Sequence, residues 1–109
     1  MVEYEDFAKL DIRTGQIKKA SFFTEAKKPA FKLWVDFGSE IGIKKSSAQI
    51  TECYTKDELI GKQVLGVVNF PPKQIASFIS EVLILGVYTE EGVILISPEQ
   101  PVKNGAKLG

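Results

Sequence analysis

The tightest constraint on this chain is the stretch 30–37, where Phe31, Leu33, Val35 and Phe37 alternate strictly with Ala30, Lys32, Trp34 and Asp36. A two-residue period fits a half-buried strand, because successive side chains of an extended backbone point to opposite faces. The odd positions are expected in a core, and Lys32, Trp34 and Asp36 share the outer face. Gly38 ends the run. Residues 64–70 and 82–87 are apolar at both parities, the pattern of strands covered on both faces. Residues 10–23 read as a longer strand whose apolar positions change parity between Ile12 and Ile17. Gly15 lies between them and is expected to mark a bulge or a barrel corner. Glu90-Glu91-Gly92 turns the chain into a fifth strand at 93–96.

Helical signals are short. Tyr4, Phe7 and Ala8 predict a helix over 3–9, too short to hold without docking. Ile43, Ser47, Ile50 and Tyr54 form a stripe that predicts a second helix near 44–53. Thr55 and Glu58 have capping-box spacing ahead of Leu59 and Ile60, and Gly61 suits the position after that helix. Pro98 and Pro101 stop regular structure, and the tail 102–108 is extended and expected to pair with another element. Five short strands in 109 residues with a few helical turns predict an all-β fold with short helices, a five-stranded Greek-key barrel in one domain. Barrel closure also disposes of apolar strand edges.

The charge balance is zero overall but uneven along the chain. Residues 1–12 hold four acids and one base (−3), residues 13–73 eleven bases and six acids (+5), and residues 74–109 four acids and two bases (−2). A basic middle can make a confined positive patch, although scattered, solvated lysines are the plainer reading of charge alone. With no histidine, the usual general base near neutral pH is missing. No cysteine–carboxylate cluster has metal-ligand spacing and no glycine-rich phosphate loop follows a strand, so neither an enzyme nor a metal or other cofactor is expected. Lys45-Ser46-Ser47 reads more simply as a cap than as a nucleophile with its base. Cys53 is the single cysteine. The acidic start lacks a signal-peptide layout, and no apolar run approaches bilayer length. A cytoplasmic protein without membrane insertion is therefore the expectation.

The segment 69–80 carries two prolines, Lys73, the amides of Asn69 and Gln74, and the aromatics Phe70 and Phe78. Stiff backbone, amides and a cation suit recognition of phosphate, sugar and base edges. A proline-stiffened surface loop explains the same composition equally well.

Phe7-Ala8-Lys9-Leu10-Asp11-Ile12-Arg13-Thr14-Gly15-Gln16-Ile17, Lys32-Leu33-Trp34-Val35-Asp36-Phe37-Gly38, Val67-Val68-Asn69-Phe70-Pro71-Pro72-Lys73 and Pro101-Val102 with Asn104-Gly105 occur in an order that resembles the tRNA-binding domain family. The segment 41–51 and Asn69-Phe70-Pro71-Pro72 are most similar to its stand-alone, CsaA-like branch. The resemblance implies an OB-fold homodimer, with 1–10 and 98–109 as dimerisation extensions. It implies that the folded tRNA is recognised by shape, with an export-related chaperone role. It places the RNA-contacting loop at Asn69, Lys73, Gln74 and Ser80. The family commonly has a second basic residue where Gln74 stands and a glycine where Ser77 stands.

The expected tRNA contacts are therefore Arg13, Lys18, Lys44, Lys45 and Lys73 on phosphates, and Asn69, Gln74 and Ser80 through directed hydrogen bonds. Arg13 has a structural alternative, a pair with Asp11 or Asp36. A chaperone that binds unfolded precursor proteins is the alternative function, with Trp34, Phe70, Phe78 and Ile79 lining an apolar groove. Core or subunit packing is the plainer role for each of these four. Tyr4, Phe7, Ile41, Ile43, Ile50, Val102 and Leu108 are more apolar than a monomer surface needs and are expected at a two-fold interface.

Overall fold

A computed structural model describes residues 1–109. Helix α1 (Tyr4–Ala8) leads into strand β1 (Ile12–Phe22), which pairs antiparallel with β2 (Phe31–Asp36). Helix α2 (Gly38–Ile41) turns the chain into β3 (Ile43–Ala48), and α3 (Lys56–Leu59) leads into β4 (Gln63–Val67). The hairpin β5 (Lys73–Ile75) and β6 (Phe78–Ser80) precedes β7 (Leu83–Ile84). A last hairpin joins β8 (Gly86–Thr89) to β9 (Gly92–Leu95). The main sheet runs β3-β2-β1-β4-β7 and curls into a nearly closed OB-fold barrel.

The alternation of β2 appears as written: Phe31, Leu33, Val35 and Phe37 are buried, while Lys32, Trp34 and Asp36 lie on the outer face. With Ile17, Ile50, Leu59 and Val64 they form the main core. A second, smaller core lies across β4, where Ile12, Leu65 and Val67 pack with Leu10, Leu85 and Ile96. This explains the parity change in β1: Ile12 faces the small core and Ile17 the large one. Gly15 is not the bulge. The register slips between Ile17 and Lys19, and Gly15 instead permits close packing, since a Cβ there would stand 2.6 Å from Val35 Cγ1 and 2.8 Å from the Phe37 ring.

Two other expectations are corrected. The stripe at 43–54 is not a helix; residues 43–48 form β3, paired residue for residue with β2. Ser46 turns inward opposite Leu33 and is fully buried, so cross-strand packing overrides a weak helical period. Residues 82–87 are not covered on both faces. Val82 is buried, but Leu83 and Val87 are about half exposed. The Thr55–Glu58 capping box forms as expected.

The barrel closes on β3 largely through side chains. Glu81 N–H donates to Lys45 C=O (2.8 Å), Lys45 N–H to Glu81 Oε1 (3.0 Å), and Ser47 N–H to Ser80 Oγ (3.0 Å). The tail fills the edge that β2 leaves free. Thr14 N–H donates to Ala106 C=O, Gly105 N–H to Thr14 C=O, and Leu108 N–H to Ile12 C=O. Gly38 and Gly105, both at positive φ, let the tail cross where a Cβ on either would meet backbone oxygen at 2.6 Å.

Candidate nucleic-acid interface

The outer face of β1–β3 gathers cations and aromatic rings. Cross-strand pairing sets Lys19 beside Trp34 and Trp34 beside Lys45. One step along, Ser21, Lys32 and Ser47 form a second row, and the Ser47–Ser80 hydrogen bond continues it to Lys73, the partner of Ser80 in the β5–β6 hairpin. Beneath the lysines, Phe23 and Phe78 meet edge-on with centroids 5.4 Å apart, and Trp34 meets Phe78 edge-on at 6.1 Å. Lys19 Nζ lies 4.7 Å from the Trp34 ring, Lys32 Nζ 4.9 Å from Phe23 and 5.3 Å from Phe78, and Lys45 Nζ 5.5 Å from Phe78. Such contacts hold an ammonium over a ring face with part of its donor capacity still open. Two acids border the patch and both are engaged: Glu25 with Lys32 (3.9 Å) and the Ser77 hydroxyl, Glu81 with the Lys45 amide.

The sequence-predicted contacts divide between this face and elsewhere. Lys45, Lys73 and Ser80 belong to it. Lys18 is exposed in the β1 irregularity, and Lys44 sits opposite Val35 at the sheet edge. The Gln74 amide donates to Ala76 C=O (3.1 Å) and supports the hairpin turn. Ala76, not Ser77, holds the positive φ there (52°), so the serine in place of a glycine leaves the path of the hairpin unchanged.

Arg13 and Asn69 form a separate knot. Arg13 Nε donates to Asp11 Oδ1 (2.6 Å) and Nη1 to Gly105 C=O (3.0 Å). The hydrogen-bonded Asp11 carboxylate holds the Arg13 guanidinium above its ordinary value, against an opposing desolvation. Asn69 Oδ1 accepts from Asp11 N–H (2.9 Å) and its amide donates to Lys9 C=O (2.8 Å), so this side chain ties the end of α1 to the strand beyond it.

Of the four residues expected in one apolar groove, Trp34 and Phe78 touch, and Phe70 and Ile79 lie apart from them. Phe78 is 6% exposed and packs in a small core with Phe23 and Ala30. Ile79 follows it on the opposite side of β6. Phe70 borders a shallow pocket of about 330 Å³ with Pro71, Lys73 and Glu81, and Trp34 stands on the lysine face. Among the residues expected at a subunit contact, Ile50 is core and Ile41 packs against it. Tyr4, Phe7, Ile43, Val102 and Leu108 are exposed.

Sequence reasoning missed Lys19 and Lys32 as members of the patch. The outward parity of Lys32 was visible, but Lys19 joins Trp34 only through the slipped register. It also missed the exposed apolar set Leu83, Val87, Tyr88 and Ile94. The largest cleft, between α3–β4 and the tail, offers little to a ligand because its central amide, Gln63, already bonds Val102 in both directions and Asn104. No helix is long and apolar enough to cross a membrane.

Comparison with known proteins agrees with this geometry. Residues 12–107 match the family described as "Putative tRNA binding domain". The fold superposes on the CsaA chaperone protein of Picrophilus torridus with a TM-score of 0.96 at 58% identity, covering 100% of both chains. It superposes on chaperone CsaA of Bacillus anthracis str. Ames with a TM-score of 0.93 at 49% identity, covering 100% of this chain and 99% of that one. The methionine–tRNA ligase of Pyrococcus horikoshii is 36% identical over 107 residues, which are 98% of this chain and 14% of that protein. The chain thus spans a small fraction of the length of the ligases it matches. On these grounds the chain belongs to the tRNA-binding domain family and is a CsaA-like member of it.

Proposed function

We propose that this protein binds folded tRNA without catalysis, by shape and phosphate contact, through the outer face of β1–β3 and the β5–β6 hairpin. The observation that carries the reading is the continuous row Lys32–Ser47–Ser80–Lys73 beside Lys19–Trp34–Lys45. It concentrates positive charge on one side of a chain whose net charge is zero. Lys18 extends the patch at its border, whereas Lys44, opposite the inward Val35, stands apart from it. Filter binding of whole tRNA across a salt series tests the reading. Four phosphate contacts give a slope of log affinity on log salt of roughly −3 to −4, and each lysine removed flattens it by about one. Retention of no tRNA even at low salt rejects the proposal.

A second reading is favoured by a different surface. Leu83, Val87, Tyr88 and Ile94 are exposed, and beside them Ile50, Ile84 and Val93 line an apolar pocket of about 330 Å³. In one reading this surface, with α1 and the tail residues Val102 and Leu108, is the two-fold interface of a homodimer. Helix α1 has five residues and buries none, so it needs cover beyond this chain. In the other reading the surface holds unfolded polypeptides, including export precursors in the cytoplasm, as the chaperone naming of the two CsaA relatives suggests. Light scattering at micromolar concentration distinguishes them when combined with aggregation of an unfolded client. A dimer mass with unchanged client aggregation supports the interface alone, and a monomer mass with stoichiometric suppression supports the chaperone surface.

A further inference from the structure

We infer that Trp34 is a stacking platform for an unpaired nucleobase, with Lys19 and Lys45 placed for the phosphates on either side. The inference rests on the RNA-binding reading and adds to it a specific subsite with base contact, beyond recognition of shape.

Three aromatic rings lie under the lysines, but two are committed to packing. Phe23 is 3% and Phe78 6% exposed, and each presents an edge to its neighbour. Trp34 alone of the three is only partly buried; it projects from the outward parity of β2 and packs against Phe78. Phe78 meets it at an interplanar angle of 72°, which fixes the tilt of the indole. The Lys19 ammonium lies over the ring, 4.7 Å from its centroid. Lys19 is exposed, on a flexible stem, and has no carboxylate partner among the ion pairs of the molecule. An ammonium parked on an indole at an exposed site is held weakly, whereas base–aromatic stacking is the stronger contact and tolerates any base. An incoming base can therefore displace Lys19 from the ring, and the freed ammonium meets the phosphate of the same nucleotide. Lys45, on the other side of Trp34 in the sheet, stands where the next phosphate falls. Glu25 offsets the charge of Lys32 alone, while the Lys19 and Lys45 ammonium groups have no carboxylate partner, so the two cations beside Trp34 keep their attraction for a polyanion. A neutral peptide gains nothing from Lys19 over the Trp34 ring and Lys45 beside it on the next strand, which favours RNA as the occupant.

Trp34 is the only tryptophan, so emission excited at wavelengths longer than the tyrosine band reports on this residue alone. The probes are whole tRNA, a short unstructured oligonucleotide and a blunt, fully paired RNA duplex. The expected result is saturable quenching by tRNA and by the oligonucleotide, with no quenching by duplex at concentrations that filter binding shows to be bound. Trp34→Leu should weaken tRNA binding about five- to 100-fold, Trp34→Phe should weaken it less, and duplex affinity should not change. The wild-type quenching needs no variant, so misfolding of one does not void the test. Retained tRNA with unchanged emission and unchanged affinity of Trp34→Leu overturns the platform and leaves the tRNA-binding reading standing. Equal quenching by duplex overturns it as well, as does quenching by an uncharged unfolded peptide but not by RNA. Failure of all three RNAs to bind removes both inferences.

Discussion

The outer face of β1–β3 and the β8–β9 hairpin both present one strand surface to solvent, and they are completed in different ways. On the first, each outward aromatic or lysine has a partner within the chain: Lys19 on Trp34, Lys32 on Phe23 and Phe78, Lys45 on Phe78. On the second, Val87 is 52% and Tyr88 92% exposed, with Ile94 and Leu83 nearby and no cation or ring covering them. The difference lies in what each surface lacks. The lysine face is internally packed and short only of negative charge, so it suits a polyanion. The hairpin face is short of apolar contact, each buried Å² of which is worth about 25 cal/mol, so it suits a protein surface.

Five variants break or sharpen that contrast. The largest effect is expected from Phe78→Ala. Phe78 underlies the lysine face, and its loss should cost about 3–5 kcal/mol in urea unfolding, whereas Phe70→Ala, at an exposed ring, should cost well under 1 kcal/mol. Equal costs would mean that Phe78 is not the support of the face. On the other surface, Tyr88→Glu should leave the unfolding free energy of the separated chain within about 0.5 kcal/mol but shift light-scattering mass from dimer to monomer. An unchanged mass moves the two-fold contact elsewhere. Asn69→Ala removes both hydrogen bonds that hold the end of α1 and should cost about 1 kcal/mol while leaving the lysine-face salt slope as it was. A loss of tRNA affinity without a loss of stability would instead return Asn69 to the RNA interface. The smallest effect is expected at Ala76. Replacing it with glycine at φ 52° should raise stability by about 0.5–1 kcal/mol with no change in tRNA binding.

How legible each element was follows from how local its cause is. The alternation of β2 and the capping box at Thr55 follow from short-range pattern and stand as read; the tail pairs as expected, but its partner, the start of β1, is set by the tertiary fold. The error at 43–54 has a tertiary cause. Lys44, Lys45, Ser46 and Ser47 have little local preference, and Ser46 is held inward only because Leu33 faces it. Arg13 and Asn69 carried the right chemistry for RNA, yet Arg13 is claimed by Asp11 and Gly105 and Asn69 by the backbone of Lys9 and Asp11, partners up to 92 residues away. Ser80 is a middle case, placed on the lysine face while also capping the Ser47 amide that the open side of the barrel would leave unpaired.

The sequence by itself determined which residues face inward on β2 and that its short, apolar strands suit a small barrel. These follow from side-chain chemistry and the two-residue period of a strand. Only the tertiary structure decided which cations share a surface and which polar groups remain free. A one-residue slip after Ile17 brings Lys19 to Trp34, and a register is a property of two strands together, set by packing between them and not by the residues of either one.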